Sequence, residues 1–375
     1  APHPLLSPPS PPSYVQPLGP LFAWAASHPK AWHKAHKAAG SVTSAWLTCP
    51  VARKLQHDWA ATRPLAAASV NPEFNGTGLL ALFLALRLPV TQGILRNLSD
   101  GFPFSGALSA HGLWPLRDGV PPPAFTVQQL RSSAPSTLSS LIKRCDSGEH
   151  QTALWEATLK ERDTKTLEGP YAVTARTDLP PLPRPPDGLP PAFIPRFAIP
   201  HNSKPPPAVR PIDNAKLSGL NGTACPLDKV WLPWIDILLG TLTWLQHHKA
   251  SPCLGKFDHV DAYKQWPAAV SDQWAALLLT LDHTGKPVAF LNKALNFGAV
   301  GSVWGYCWLS CALSIAISWS MGLAVLAYVD DFATIAPCPT SLQSVLDLHT
   351  ALHIPVHLKA GKIPRSHGET RGLPQ

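Results

Sequence analysis

Two adjacent aspartates, Asp330 and Asp331, sit inside the apolar stretch "LAVLAYVDDFATIA" that runs from Leu323 to Ala336. Carboxylates flanked by core-forming residues are costly to desolvate, and two side by side repel each other. Two arrangements make such a pair tolerable. One is a hairpin turn, where Asp is common and water reaches both groups. The other is a metal site, where a cation makes close carboxylates favourable. A second acidic pair, Asp258 and Asp261, lies in "KFDHVDAY" at the end of a predicted strand. If that strand lies beside the hairpin, Asp258 and Asp330 face one another across a sheet. Carboxylates so grouped hold two Mg²⁺ ions, with Mn²⁺ possible. Two metals about 4 Å apart stabilise both the attacking and the leaving oxygen of an in-line phosphoryl displacement.

The flanking pattern describes the elements that must hold these acids. Helical spacing runs through Leu154, Trp155, Thr158, Leu159 and Arg162, and again from Lys229 to His248, where Pro233 sits near the start. "DQWAALLLTLDHTGKPVAFL" reads as a hairpin turning at "DHTGK", and "SLQSVLDLHTALHIPV" as a helix followed by a strand. Thirteen prolines between residues 180 and 211 limit that region to extended chain and short strands. Strands interleaved with helices in the C-terminal half argue for an α/β domain with a helix-backed sheet. The opening "APHPLLSPPSPPSYVQPLGP" reads as a proline-rich, poorly ordered tail, and "LLALFLALRL" as a short buried helix.

Composition narrows the classes. The chain has 375 residues and a net charge of +8. Residues 1–150 carry 12 Lys/Arg against 6 Asp/Glu, and residues 151–375 carry 19 against 17, so the excess lies in front. A basic chain suits a polyanion such as nucleic acid. Seven irregularly spaced cysteines do not form a disulfide framework, and the sequons at Asn75, Asn97 and Asn221 are read as chance because no signal peptide is seen. An intracellular place, cytoplasmic or nuclear, is expected. The uncharged run from Ala294 to Val329 is long enough for a membrane span. Its many Ser and Gly residues, and the absence of Lys or Arg between Lys293 and Lys359, favour a buried helix followed by a buried strand.

"KFDHVDAYKQW", "LNFGAVGSVWGY" and "LAYVDDFATIA", in this order, resemble the three central palm motifs of reverse transcriptases. "RFAIPHNSKPPPAVRPIDNAKLSGLN", from Arg196 to Asn221, resembles the fingers segment of retroelement enzymes, in the manner of a retrotransposon. The likeness covers roughly residues 150–365. It implies a reverse-transcriptase-like α/β fold, built on an antiparallel sheet with helices on one face, with fingers over residues 151–222 and a palm over 223–375, truncated before a thumb. Residues 1–150 match nothing of this kind and read as a Pro-, Ala- and Trp-containing region of unknown role, partly disordered. It implies RNA-directed DNA polymerase activity with template, primer and deoxynucleoside triphosphates as partners.

The resemblance also assigns roles. Asp258, Asp330 and Asp331 would be the catalytic Mg²⁺ ligands. Tyr263 would lie beneath the incoming sugar, and Phe297, Gly298, Gly301 and Ser302 would wall the nucleotide pocket. Arg210 would grip the triphosphate, with Lys204 assisting, and Lys359 or Lys362 would protonate the leaving group. Asp213 reads as structural and Asp261 as a turn carboxylate. Val303 replaces a usual proline, and His259 replaces a usual apolar residue. The competing readings are a non-catalytic retroelement remnant and a nucleic-acid-binding or membrane-associated protein without enzymatic activity.

Overall fold

Proline is tolerated in the first turn of a helix, where its missing N–H would have no partner. The front of this chain uses it there repeatedly. The computed structural model describes residues 10–88, 91–145, 148–173, 189–201, 205–206, 208–233, 235–247, 252–338 and 341–358. Within it, helices α1 (Gly19–Ser27), α2 (Pro29–Thr48) and α3 (Pro50–Thr62) each carry proline in their first two positions. The expected proline-rich tail is therefore part of the packed structure from residue 10 onward. Val15 is buried, and the Tyr14 hydroxyl donates to the Val325 carbonyl at 2.9 Å. The rest of that expectation falls on residues 1–9, outside the described residues.

Helices α4 (Leu65–Ala68), α5 (Gly76–Ala85) and α6 (Thr91–Asp100) follow, then β1 (Ala107–Leu108) and α7 (Val127–Ile142). Helix α5 is the short apolar helix expected near Leu79; the Asn75 side chain caps it by accepting from the Gly78 N–H at 2.9 Å. The remainder alternates: α8 (Gln151–Asp163), β2 (Leu167–Ala172), β3 (Phe193–Pro200), β4 (Val209–Asp213), β5 (Cys225–Pro226), α9 (Ile235–His247), β6 (Cys253–His259), β7 (Leu277–Leu281) and β8 (Pro287–Asn292). It ends with α10 (Val300–Met321), β9 (Ala324–Tyr328), β10 (Asp331–Ala336), α11 (Ser341–Ala351) and β11 (Val356–Leu358). The mixed α/β class expected from the sequence is what the chain forms.

Two main sheets result. One runs β2-β8-β7-β3-β4 and is antiparallel except between β3 and β7. The other runs β11-β6-β10-β9 and is antiparallel throughout. The 222/223 boundary read from sequence does not separate them. Strands β7 and β8 come after it, yet they join β2, β3 and β4.

Helix α10 is apolar on every side, which requires burial on every side. It is long and apolar enough to cross a membrane, but 83% of its most apolar window is enclosed by the protein. The buried helix and buried strand expected for residues 294–329 are thus present. Glycine lets the front of the chain approach it. A Cβ at Gly301 would lie 2.3 Å from the Phe104 Cα, and one at Gly305 would lie 2.9 Å from the Phe102 ring.

Side chains alternate across a strand, so the four-stranded sheet has two distinct faces. Phe257 of β6 and Phe332 of β10 are register partners; their rings stack at 4.8 Å in the core with α10 and α11. On the opposite face, Ala324, Leu326 and Ile335 pack with Leu245 of α9 and Phe22 of α1. Helices therefore cover both faces, not the one expected, because α9 and α1 each present an apolar side to the far half of the sheet.

Candidate carboxylate site

The register of β6 and β10 sets Asp258 directly opposite Asp331. Because Phe257 and Phe332 take the helix side, these neighbours take the other face, at the end that α9 and α1 leave uncovered. Val329 and Asp330 make up the whole two-residue turn between β9 and β10, which the Tyr328–Asp331 pair closes. The three acids singled out from sequence are thus brought to one strand end. The His259 N–H also reaches the Asp330 carbonyl, at 3.4 Å.

The turn is strained. Val329 has φ +56°, a left-handed conformation that a β-branched side chain rarely adopts. Such a residue costs on the order of 1–3 kcal/mol and persists where its surroundings over-determine it.

Two unanticipated side chains join the acids. The Lys256 ammonium lies 3.0 Å from an Asp331 oxygen, with both groups about half exposed. Lys256 stands two residues before Asp258, so period-two spacing on the strand could have revealed it. His357 of β11 is level with Asp258 on the other side. Nothing local in the sequence signals that pairing.

Beneath the acids lies a buried aromatic layer. Tyr263 is buried; its ring meets Phe297 edge-on at 5.5 Å and Tyr306 at 4.8 Å. Burial, Cys307 and the negative charge of Asp330 together push the Tyr263 phenol above its ordinary range. Burial and then Asp330 do the same to Tyr306. The Tyr306 hydroxyl lies 2.7 Å from His259 Nδ1, His259 Nε2 lies 3.4 Å from His349 Nε2, and His349 Nδ1 lies 2.7 Å from the Val345 carbonyl. A carbonyl only accepts, so His349 Nδ1 carries its proton. Neutral His349 then accepts from His259, which in turn accepts from Tyr306. This consistent chain accounts for a histidine where an apolar residue was expected.

Phe297 is half exposed, whereas Ser302 is buried and its hydroxyl accepts from the Asn296 N–H at 3.1 Å. Ser302 shapes the loop from beneath. Gly298 has φ +111°, and a Cβ there would lie 2.6 Å from the Asp213 carbonyl. Asp213 is the structural residue it was read to be, accepting from Arg196 Nε at 2.8 Å. Arg196 is buried and also donates to Glu161 at 2.8 Å, and Lys264 reaches the same Glu161 oxygen at 3.1 Å. Burial alone would raise Glu161, but Arg196 and Lys264 outweigh it and hold the carboxyl down at about 2. The loop of Gly298 and the turn after β6 are in this way tied to β3, β4 and α8.

Arg210 stands apart. It is exposed on β4, on the opposite face of that strand from Asp213, and no contact among the described residues joins it to the acids. Asp261 is exposed with φ +48°, as suits a turn carboxylate. Lys204, Lys359 and Lys362 lie outside the described residues.

Among the described residues, no three His, Cys, Asp or Glu side chains converge as a ready-made metal cage. Mg²⁺ is commonly held by one or two carboxylates plus substrate phosphates, not by an all-protein cage. Asp258, Asp330 and Asp331, all partly buried, supply hard oxygen donors of that kind at one sheet end, so the donor types suit the ion. Lys256 would have to leave Asp331 to free that oxygen. In comparisons with known proteins, the chain matches no family model and no curated protein sequence.

Proposed function

We propose that this chain is the fingers and palm of a retroelement reverse transcriptase, an RNA-directed DNA polymerase. The observation that carries the reading is the β6–β10 register, with Asp258 opposite Asp331 and Asp330 in the adjoining turn. In this reading the five-stranded sheet belongs to the fingers and the four-stranded sheet is the palm. Asp258, Asp330 and Asp331 would hold two Mg²⁺ ions, for which Mn²⁺ could substitute. Bound there, the ions would supply Lewis-acid stabilisation of the attacking and leaving oxygens.

The chain's own residues position the reactants, an RNA or DNA template with its primer and a deoxynucleoside triphosphate. Tyr263 lies beneath the incoming sugar, where its buried ring opposes a 2′-hydroxyl by contact. The exposed ring of Phe297 and the bare backbone of Gly298 offer a surface for the nucleotide, and Ser302 holds their loop from below. Arg210 offers a planar fork to the triphosphate. An intracellular location, cytoplasmic or nuclear, goes with this reading.

The test is primer extension on an RNA template with Mg²⁺ or Mn²⁺, comparing the chain with Asp330→Ala. Incorporation that vanishes in the variant is the expected result. A folded chain that incorporates nothing under either metal overturns catalysis and leaves a non-catalytic retroelement remnant.

A further inference from the structure

Helix α2 carries Lys30, Lys34 and Lys37 at helical spacing, so the three ammonium groups share one face, with His33 between them. All four side chains are exposed. No Asp or Glu occurs anywhere before Asp58; Arg53 carries the positive charge on into α3, where Lys54 is paired with Asp58 at 4.0 Å. The opposite face of α2 is already occupied. Trp32 and His36 are buried there; Trp32 Nε1 donates to Ser341 Oγ at 3.0 Å, and His36 Nε2 lies 3.3 Å from the Ser341 carbonyl. The helix is thus fixed on α11, with its lysines turned to solvent.

We infer that this face binds the phosphate backbone of a nucleic-acid duplex, as a second contact away from the carboxylate site. Duplex DNA carries one negative charge per about 1.7 Å of axis. The stripe from Lys30 to Lys37 spans about 10 Å at 1.5 Å per residue, enough to face several phosphates. The other exposed residues in these turns are Ala31, Ala35, Ala38 and Ala39, whose small side chains permit close approach. The same feature disfavours an anionic membrane. A surface-lying membrane helix inserts a bulky apolar face, and here that face is buried against α11. The exposed Val42 and Trp46 lie farther along α2. The inference rests on the polymerase reading for the source of the duplex but not for the binding itself.

The experiment measures affinity of the full chain for a labelled RNA–DNA duplex by anisotropy across a salt series, in EDTA so that catalysis plays no part. The chain is compared with the Lys30→Gln, Lys34→Gln, Lys37→Gln triple variant and with the matching triple Arg variant. Each lysine engaged contributes about 0.9 to the slope of log K against log salt, so the Gln variant is expected to be less steep by roughly 2.7. The Arg variant should keep the slope. Should the Gln variant melt early, Lys34→Gln alone is expected to reduce the slope by about 0.9. An unchanged slope, or lysine-dependent binding to phosphatidylserine vesicles but not to duplex, overturns the inference. Lysine-dependent duplex binding by a chain that extends no primer would keep this inference and remove the polymerase reading.

Discussion

The side-chain amide of Asn221 grips the loop ahead of α10 at two points. Its Nδ2 donates to the Gly298 carbonyl at 3.0 Å, and its Oδ1 accepts from the Val300 N–H at 2.9 Å. Asn221→Ala removes both bonds. Each is worth about 1 kcal/mol at most in so exposed a position, so global stability should fall by roughly 1 kcal/mol. Local order should suffer more. Hydrogen exchange at the Val300 amide is expected to accelerate at least several-fold, and under the polymerase reading nucleotide KM should rise while kcat changes less. Unchanged exchange at Val300 would show that the clamp does not order the loop.

Gly298→Ala should be worse than its size implies. The new methyl would have to fit 2.6 Å from the Asp213 carbonyl, in a backbone with φ +111°. The Asp213 side chain is pinned by Arg196, so its carbonyl cannot readily yield. A loss of about 2 kcal/mol or more is expected in denaturant titration, from backbone strain and overpacking together.

Much of the carboxylate site was legible because it follows from alternation. Phe257 and Phe332 must face a core, which turns Asp258 and Asp331 away from it. What alternation cannot give is which strands become neighbours, so His357 beside Asp258 and the union of β7 with β3 could not be read. Proline misled in the front third, because the same residue ends one helix and begins another. Pro20, Pro29 and Pro50 all do the latter. Asn221 carried only a sequon, read as chance, and nothing local signalled the backbone it holds.

Acid should destabilise the fold in two separable stages. Burial pushes the His349 imidazole down to about 4, only partly offset by its bond to Val345. Its folded value lies below the ordinary 6.5, so the unfolded chain takes up the proton first. Stability is therefore full above pH 6.5 and falls as pH drops toward 4, by roughly 3 kcal/mol. Glu161, held at about 2 against an ordinary 4.5, contributes stability above pH 4.5 that is lost as pH falls toward 2, again roughly 3 kcal/mol. Burial also holds His259 well below its ordinary value, so urea titrations across pH should show His349→Leu making the upper limb shallower without abolishing it, and Glu161→Gln flattening the lower. A variant that lowers stability equally at every pH would contradict the assignment of its limb.

Val329→Gly tests the strained turn. Glycine relieves a conformational cost of about 1–2 kcal/mol but gives back roughly 0.5–1 kcal/mol through a more flexible unfolded chain. Val329 also packs partly against the core. The denaturant midpoint should therefore correspond to a stability within about 1 kcal/mol of the parent. Under the polymerase reading, primer extension should nonetheless slow by at least an order of magnitude, because the turn that fixes Asp330 is loosened. Full activity in a stable variant would mean that the strain serves no purpose at the site.

The contacts of Phe104 with Gly301 and of Phe102 with Gly305 bear on how the protein is made. A ribosome delivers the chain from its N-terminus, and segments begin to fold in that order. Phe102 and Phe104 precede α10 by about two hundred positions, so this part of its receptor surface is synthesised before the helix emerges. An apolar helix synthesised first would wait uncovered and invite aggregation. Here part of the cover of α10 is synthesised before it, and the remainder, β9 and α11, follows directly behind, which limits the time that the helix stands exposed.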